Sequence, residues 1–276
     1  MIPYMEKYIL LNKAVGETPL SCAEAYRATH PELAGVSMAY AGRLDPMASG
    51  TLLVLLGDEC KNQTAYHGLD KEYEFSVLLG ISSDSHDVLG RLTADSAADL
   101  THPLPRQLTK ISDELTGSIE LPYPHFSAKT VQGKPLHMWT LEGRLDEIEI
   151  PTKQSVVYSL QLDSIETKSR VAVCAEARTK IDSIPEVTEA RKALGNDFRR
   201  VDVRQDWEAI LNNDSLPEQY NIAHFTCAAS SGTYMRTLAH LIGQRLTPAT
   251  ASLAWSIHRT KIGTFDPTSL TWTRQF

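Results

Sequence analysis

A β-scaffold carrying a few amphipathic helices is the fold that this 276-residue sequence predicts. Two observations carry that expectation. Strand-like runs, either wholly apolar or alternating, recur along almost the whole chain. Between them stand segments whose apolar residues repeat at helical spacing. No internal repeat or low-complexity tract interrupts the series, and the length suffices for a substantial core, so the expectation is a single domain over 1–276.

Taken in order, "KYILLNKAVG" (7–16) reads as a short strand ending in a turn. Ser21 and Glu24 have capping-box spacing and predict a helix start in front of "AEAYRATH". "TLLVLLG" is apolar on both faces and reads as a buried strand, and "DECKNQTAYHGL" suits a helix closed by Gly68. In "KEYEFSVLLG" (71–80), Tyr73, Phe75, Val77 and Leu79 alternate onto one face, and "ISSDSHDVLG" follows as a polar loop. Leu104, Leu108, Ile111 and Leu115 predict an amphipathic helix at about 105–116. The Pro-, His- and Lys-rich stretch at about 121–144 reads as a surface arm with a short helix near its end. "SVVYSLQLDSIET", "VAVCAEA" and "IAHFTCAAS" are strand-like. Between the last two, the charged, partly helical segment at about 178–221 reads as a solvated insertion on the periphery. "TYMRTLAHLIGQRL" (233–246) is an amphipathic helix, with Thr233 as its expected cap, and "LAWSIHRTKIGTF" is a last strand.

Hydrophobic residues make up 42% of the chain and charged residues 22%, as in ordinary soluble proteins. No signal peptide is recognisable, and the longest apolar run, Leu52 to Leu56, is far too short to cross a bilayer. The expectation is therefore a soluble, cytoplasmic protein with no membrane partner. Cys22, Cys60, Cys174 and Cys227 are scattered, which argues against a zinc site and suggests free thiols. A formal charge of −7 counts against indiscriminate coating of nucleic acid, yet it leaves room for one basic cleft.

Two stretches could carry chemistry. In "AGRLDPMASG" (41–50), Pro46 biases Asp45 toward an extended conformation, and Gly42 and Gly50 permit tight backbone excursions on either side. The carboxylate is then fixed in orientation, as a nucleophile or base requires, although a turn acid would share this composition. In "SSGTYMRTLA", Arg236 falls in the first turn of a helix, where a cation opposes the dipole unless an anion faces it. Tyr73 reads as a core tyrosine. Lys129, Lys134 and Arg144, interleaved with Phe126 and Trp139, suit a surface that tracks phosphates or stacks bases.

Together these segments resemble the TruB family of tRNA pseudouridine synthases. "AGRLDPMASGTLLVLLGDECK" is similar to the family's G-x-LDP-x-A-x-G motif, apolar strand and G-[DE]-x-x-K. "KEYEFSVLLGISSDSHDVLG" resembles its K-x-Y strand and D-[ST]-x-D-x-x-G loop. "LPYPHFSAKTVQGKPLH" resembles its SA arm, "CAASSGTYMRTLAHLIG" its GTY-[IV]-R-[TS] segment, and "SIHRTKIGTF" its LRR-T-x-x-G strand. Five collinear segments span nearly the whole chain outside 178–221.

The resemblance implies an α+β domain: a mixed, largely antiparallel sheet flanked by helices, with a central cleft that holds the aspartate. It implies isomerisation of uridine to pseudouridine at position 55, in the T-loop of tRNA, by a monomer that needs no cofactor and no metal. Carried over by residue, Asp45 becomes the catalytic aspartate, Tyr73 the tyrosine that stacks on the target base, and Arg236 the partner of the carboxylate. Ile257 takes the place of a leucine lining the uracil pocket, and Tyr234 is a neighbouring pocket residue. Tyr40 stands where bacterial members have a histidine that contacts the flipped nucleotide, and Thr130, Leu141 and His258 replace basic residues. A C-terminal RNA-binding PUA domain is not recognisable, and Arg199, Arg200 and Arg204 are candidates to supply RNA contacts in its stead. The "GRLD…SG" pattern also echoes ribosomal-RNA pseudouridine synthases, which would keep the chemistry and change the RNA. A non-catalytic RNA-binding or tRNA-folding module is the alternative from another class. An unrelated hydrolase built on Asp45 fits less well, since no second carboxylate, metal set or Ser/His pair stands near it in sequence.

Overall fold

The computed structural model describes residues 6–94, 104–185 and 199–276. β1 (Tyr8–Lys13) leads into α1 (Pro19–Ala28), and β2 (Met38–Tyr40) precedes the long buried β3 (Ala48–Leu56). A 3-10 turn over Gly57–Asn62 and α2 (Gln63–His67) follow, then β4 (Asp70–Leu79), β5 (Ile81–Ser83) and β6 (Leu92–Ala94). α3 (Leu104–Leu115) and β7 (Gly117–Pro122) lead to the arm, which holds β8 (Thr130–Val131), β9 (Lys134–Pro135) and α4 (Leu136–Leu141). The second half runs β10 (Thr152–Ser169), α5 (Arg170–Asp182), α6 (Arg200–Leu211), β11 (Gln219–Ala229), α7 (Met235–Arg245), β12 (Ser252–Asp266) and β13 (Thr271–Gln275).

The main sheet orders its strands β1-β3-β12-β4-β11-β10-β7, with β2 on β3 and β13 on β12. Its neighbours pair antiparallel except β12 with β3, which run parallel over three residues. The α+β class and the mixed, largely antiparallel sheet are thus as the resemblance implies. The core lies where alternation predicts. Phe75 faces Phe225 across β4 and β11 with ring centroids 5.4 Å apart, and Val77, Leu79, Ile257 and Ile242 share that cluster. Burying such side chains contributes about 1.5–3 kcal/mol each.

Several expectations are corrected. "VAVCAEA" is not a strand: it opens α5, capped by Ser169, whose side chain accepts from Ala172 N. Val173, Cys174, Ala177 and Ile181 are the buried members, a helical spacing that becomes visible only when the window runs past Ala177. The expected solvated insertion at 178–221 is no decoration in its described parts. α6 buries Val203, Trp207 and Ile210 in the same core cluster as Phe75. α1 is capped by Thr18 with Ser21 completing the box, one turn ahead of the expected Ser21–Glu24 pair. α7 begins after Tyr234, and Thr233 donates instead to Ser230 O at 2.9 Å. The loop expected after β4 starts as strand β5 and buries Ser83, Ser85 and Asp87. No described helix is long and apolar enough to cross a membrane.

Candidate active site

The loop carrying Asp45 is tied down on both sides. Ala48 N donates to Asp45 O at 3.0 Å, and Gly16 N donates to Pro46 O at 2.9 Å. Gly50, with φ 106°, lies opposite Arg259 in the short parallel pair of β3 and β12. A Cβ there would collide with the Arg259 backbone, so the glycine is what lets the two strands meet at the base of the loop. The Asp45 side chain emerges 38% exposed, at the mouth of a strand that is itself buried.

Arg236, in the first turn of α7, is only 4% exposed, and each of its three side-chain nitrogens has an acceptor. Nε donates to Asp45 Oδ2 at 2.8 Å, Nη1 to Ser85 O at 3.0 Å and Nη2 to Phe126 O at 3.2 Å. Behind it, Asp87 Oδ2 lies 3.8 Å from Nε, while Asp87 Oδ1 accepts from Ser85 Oγ at 2.6 Å and Leu89 N at 3.0 Å. One guanidinium thus joins the Asp45 loop, the 83–90 loop, the arm and α7. Burial opposes its charge, but Asp45 and Asp87 outweigh that and hold it protonated more firmly than an ordinary arginine. Burial pushes the Asp87 carboxyl above the usual carboxylate range, against the pull of Arg236. The cation that sits poorly against the helix dipole therefore has two anions facing it.

Tyr73 is half-buried on β4, in register with Arg259. Burial pushes its phenol up, while the Arg259 guanidinium beside it pulls the other way. Arg259 is 1% exposed and donates to Thr51 O at 2.8 Å, with longer contacts to Gly42 O and Arg43 O at 3.4 and 3.5 Å. It therefore braces the Asp45 loop from beneath. Ile257 is buried two residues earlier, opposite Phe75 on one side and Ala48 on the other. Tyr234 caps α7 without a side-chain hydrogen bond, its ring 6.0 Å from Arg236 Cζ. Burial raises its phenol and the nearby Asp45 charge adds to that. His258 points away from this group, its Nδ1 2.9 Å from Ser49 Oγ.

The other predicted residues lie elsewhere. Tyr40 packs half-buried against the Leu11, Leu52 and Val54 cluster, and no described contact joins it to Asp45. Lys134 pairs with Glu142 at 2.6 Å and covers the Trp139 ring at 4.2 Å. Lys129 is exposed, 5.1 Å from the Tyr123 ring centroid. Arg199 pairs with Asp84 at 2.6 Å and lies 4.3 Å from the Phe126 ring centroid. Arg204 pairs with Asp182 at 2.7 Å, and the buried Arg200 donates to Ile184 O, so all three arginines offered for RNA are engaged within the protein.

Asp87 and Arg259 went unassigned in the sequence. Asp87 does stand inside the D-[ST]-x-D-x-x-G loop, and Arg259 inside the LRR-like strand. The signal for both was an ionisable residue beside a buried strand. Two lysines share that position. Lys13 is fully buried, donating to Ala14 O and Glu17 O at 2.9 and 2.7 Å, and burial lowers it to about 8. Lys71 donates to Leu69 O, His67 O and Ser231 Oγ and is likewise lowered to about 8 by burial.

Comparison with known proteins points one way. The family model described as TruB family pseudouridylate synthase (N terminal domain) matches residues 32–183. A tRNA pseudouridine synthase B from Geobacillus kaustophilus is 30% identical over 244 residues, covering 88% of this chain and 66% of the relative. A tRNA pseudouridine synthase 4 from Saccharomyces cerevisiae is 27% identical over 233 residues, covering 76% of this chain and 57% of the relative. The chain thus spans roughly half to two thirds of the length of the curated relatives it matches. A chain in a crystal structure of a Cbf5–Nop10–Gar1 complex aligns with a TM-score of 0.51 at 17% identity, over 93% of this chain and 48% of that one. That likeness speaks for the fold alone.

Proposed function

Since the chain belongs to the TruB family of pseudouridylate synthases, we propose that it isomerises uridine to pseudouridine in tRNA, at position 55 of the T-loop, with Asp45 as the reacting carboxylate. The observation that carries this reading is the Asp45–Arg236 pair: a half-exposed carboxylate held by a buried guanidinium, beside Tyr73, Tyr234 and Ile257. The reaction breaks the N1–C1′ bond, turns the uracil and forms C5–C1′. One proton leaves C5 and one is taken up at N1, so the step is redox-neutral and requires no electron carrier. A carboxylate serves it by attack at C1′ or by removal of a sugar proton, and both routes need it held in one orientation, as the Arg236 Nε contact at 2.8 Å holds it. The uridine has to leave its stack, and an aromatic ring with an apolar wall is what receives such a base.

The test is Asp45→Asn, assayed by tritium release from a T-arm stem-loop labelled at uridine C5. Release falls about a thousandfold or more while the melting temperature stays within about 4 °C. Release at the unaltered rate overturns the assignment.

A further inference from the structure

We propose that Arg43, Lys129 and Lys153, together with the ring of Tyr123, form a station on the rim of the Asp45 cleft that holds the RNA strand beside the reacting uridine, the three cations on phosphates and the tyrosine under a base. The inference rests on the reading of the protein as an RNA-modifying enzyme and goes beyond it by locating where the strand is gripped.

The station is contiguous with the Asp45 cleft. Arg43 stands two residues before Asp45, and its charge, like those of Asp45 and Arg236, reaches the Tyr234 phenol. Tyr123 meets Tyr234 edge-on at 5.7 Å, and Lys129 Nζ lies over the Tyr123 ring, 5.1 Å from its centroid. Lys153, on β10, donates to Ser231 O and lies against Gly232, just ahead of Tyr234. Burial and the charge of Lys129 lower Lys153, so the two ammonium groups repel across the rim.

These cations differ from their neighbours in the arm and in α6 by what they lack. Arg43, Lys129 and Lys153 form no ion pair with any described carboxylate, while Lys134, Arg144, Arg199 and Arg204 all do. On a chain of net charge −7, unpaired cations gathered beside a catalytic cleft leave a local positive field for an anion from outside. The tyrosines set the class of that anion. Tyr123 is half-buried and held edge-on against a second ring; once the exposed Lys129 swings from its face to a phosphate, that face is free for a base, and bases stack on such faces whatever their identity. Phosphates spaced along a strand, with a base between them, match cations flanking a ring. The arm's other lysine, Lys134, is already committed to Glu142 and Trp139 and falls outside the station.

Equilibrium binding of the T-arm stem-loop is measured across a salt series, with product formation followed separately at saturating RNA. The triple variant Arg43→Gln/Lys129→Gln/Lys153→Gln binds with a salt slope smaller by about 2, since three phosphate contacts on a single strand are lost. Lys61→Gln, a surface cation paired with Asp58, keeps the original slope. Tyr123→Ala weakens binding about fivefold or more, Tyr123→Phe leaves it unchanged, and the rate at saturation stays within about threefold in both. An unchanged slope in the triple variant, or equal binding by Tyr123→Ala and Tyr123→Phe, overturns the station while leaving the activity reading intact. Binding without product by the unaltered protein overturns the activity reading and leaves the station to be judged by its slopes. No binding by the unaltered protein overturns the station as well.

Discussion

Two arginines in this molecule each stand between two carboxylates, and they teach opposite lessons. Arg144, in the arm, pairs with Glu147 at 2.6 Å and Glu142 at 3.1 Å, its side chain 46% exposed. Arg236 pairs with Asp45 at 2.8 Å and approaches Asp87 at 3.8 Å, its side chain 4% exposed. The Arg144 contacts are at least as short. The surroundings differ: Arg144 and both of its carboxylate partners reach water, whereas Asp87 is sealed with Arg236 as its facing cation. Removing Arg144 therefore returns the exposed Glu147 to solvent and leaves Glu142 with Lys134, whereas removing Arg236 leaves a buried carboxylate uncompensated.

The largest effect is expected from Arg236→Met. Urea unfolding should show a loss of about 3–5 kcal/mol, and pseudouridine formation should vanish with it. Adding Asp87→Asn should recover part of that stability without restoring turnover, because it removes the stranded charge and not the missing partner of Asp45. A loss below about 1 kcal/mol in the single variant would erase the contrast with the arm.

An intermediate effect comes from the third kind of cation, buried and capped by carbonyl and hydroxyl oxygens. Lys13 and Lys71 are lowered from 10.5 to about 8 in the folded protein, so between those values the unfolded chain binds more protons than the folded one. Their contribution to stability therefore rises with pH across that window, the cost of their burial being fully present below about 8. In urea titrations between about pH 7.5 and 9.5 the unaltered protein should gain on the order of 2 kcal/mol relative to Lys13→Met. The same pH dependence in both proteins would contradict the burial of Lys13.

The smallest effect is expected at the surface. Arg144→Gln should leave the melting temperature within about 2 °C at low salt, with even that shift lost in 1 M salt.

The same contrast explains what the sequence made legible. Alternation in "KEYEFSVLLG" and the unbroken apolar run of "TLLVLLG" placed β4 and β3, because burial leaves a periodic trace in residue type. Asp45, Tyr73 and Arg236 could be named together because five collinear motifs hold them. α5 was misread because "VAVCAEA" is too short a window to separate period 2 from period 3.6, and its helical partners Ala177 and Ile181 lie at and beyond that window's edge. Arg199 and Arg204 looked available in a charged segment, but Asp84 lies 115 residues from Arg199 and Asp182 lies 22 from Arg204. Pairings across such spans leave no local mark. Asp87 was hidden for a similar reason: one polar letter in a polar-looking loop does not announce that the chain will bury it.

The short parallel pair at Gly50 and Arg259 also sets a timetable. Arg236 follows Asp45 by 191 residues, and Arg259 follows Thr51 by 208. While the chain is being made, the Asp45 loop has neither its clamp nor its brace until nearly all of it has emerged. Contacts of that separation form late and fold slowly. The Asp45 loop is consequently among the first segments synthesised and among the last to take its final shape. A nascent chain arrested before α7 would hold Asp45 with neither its clamp nor its brace.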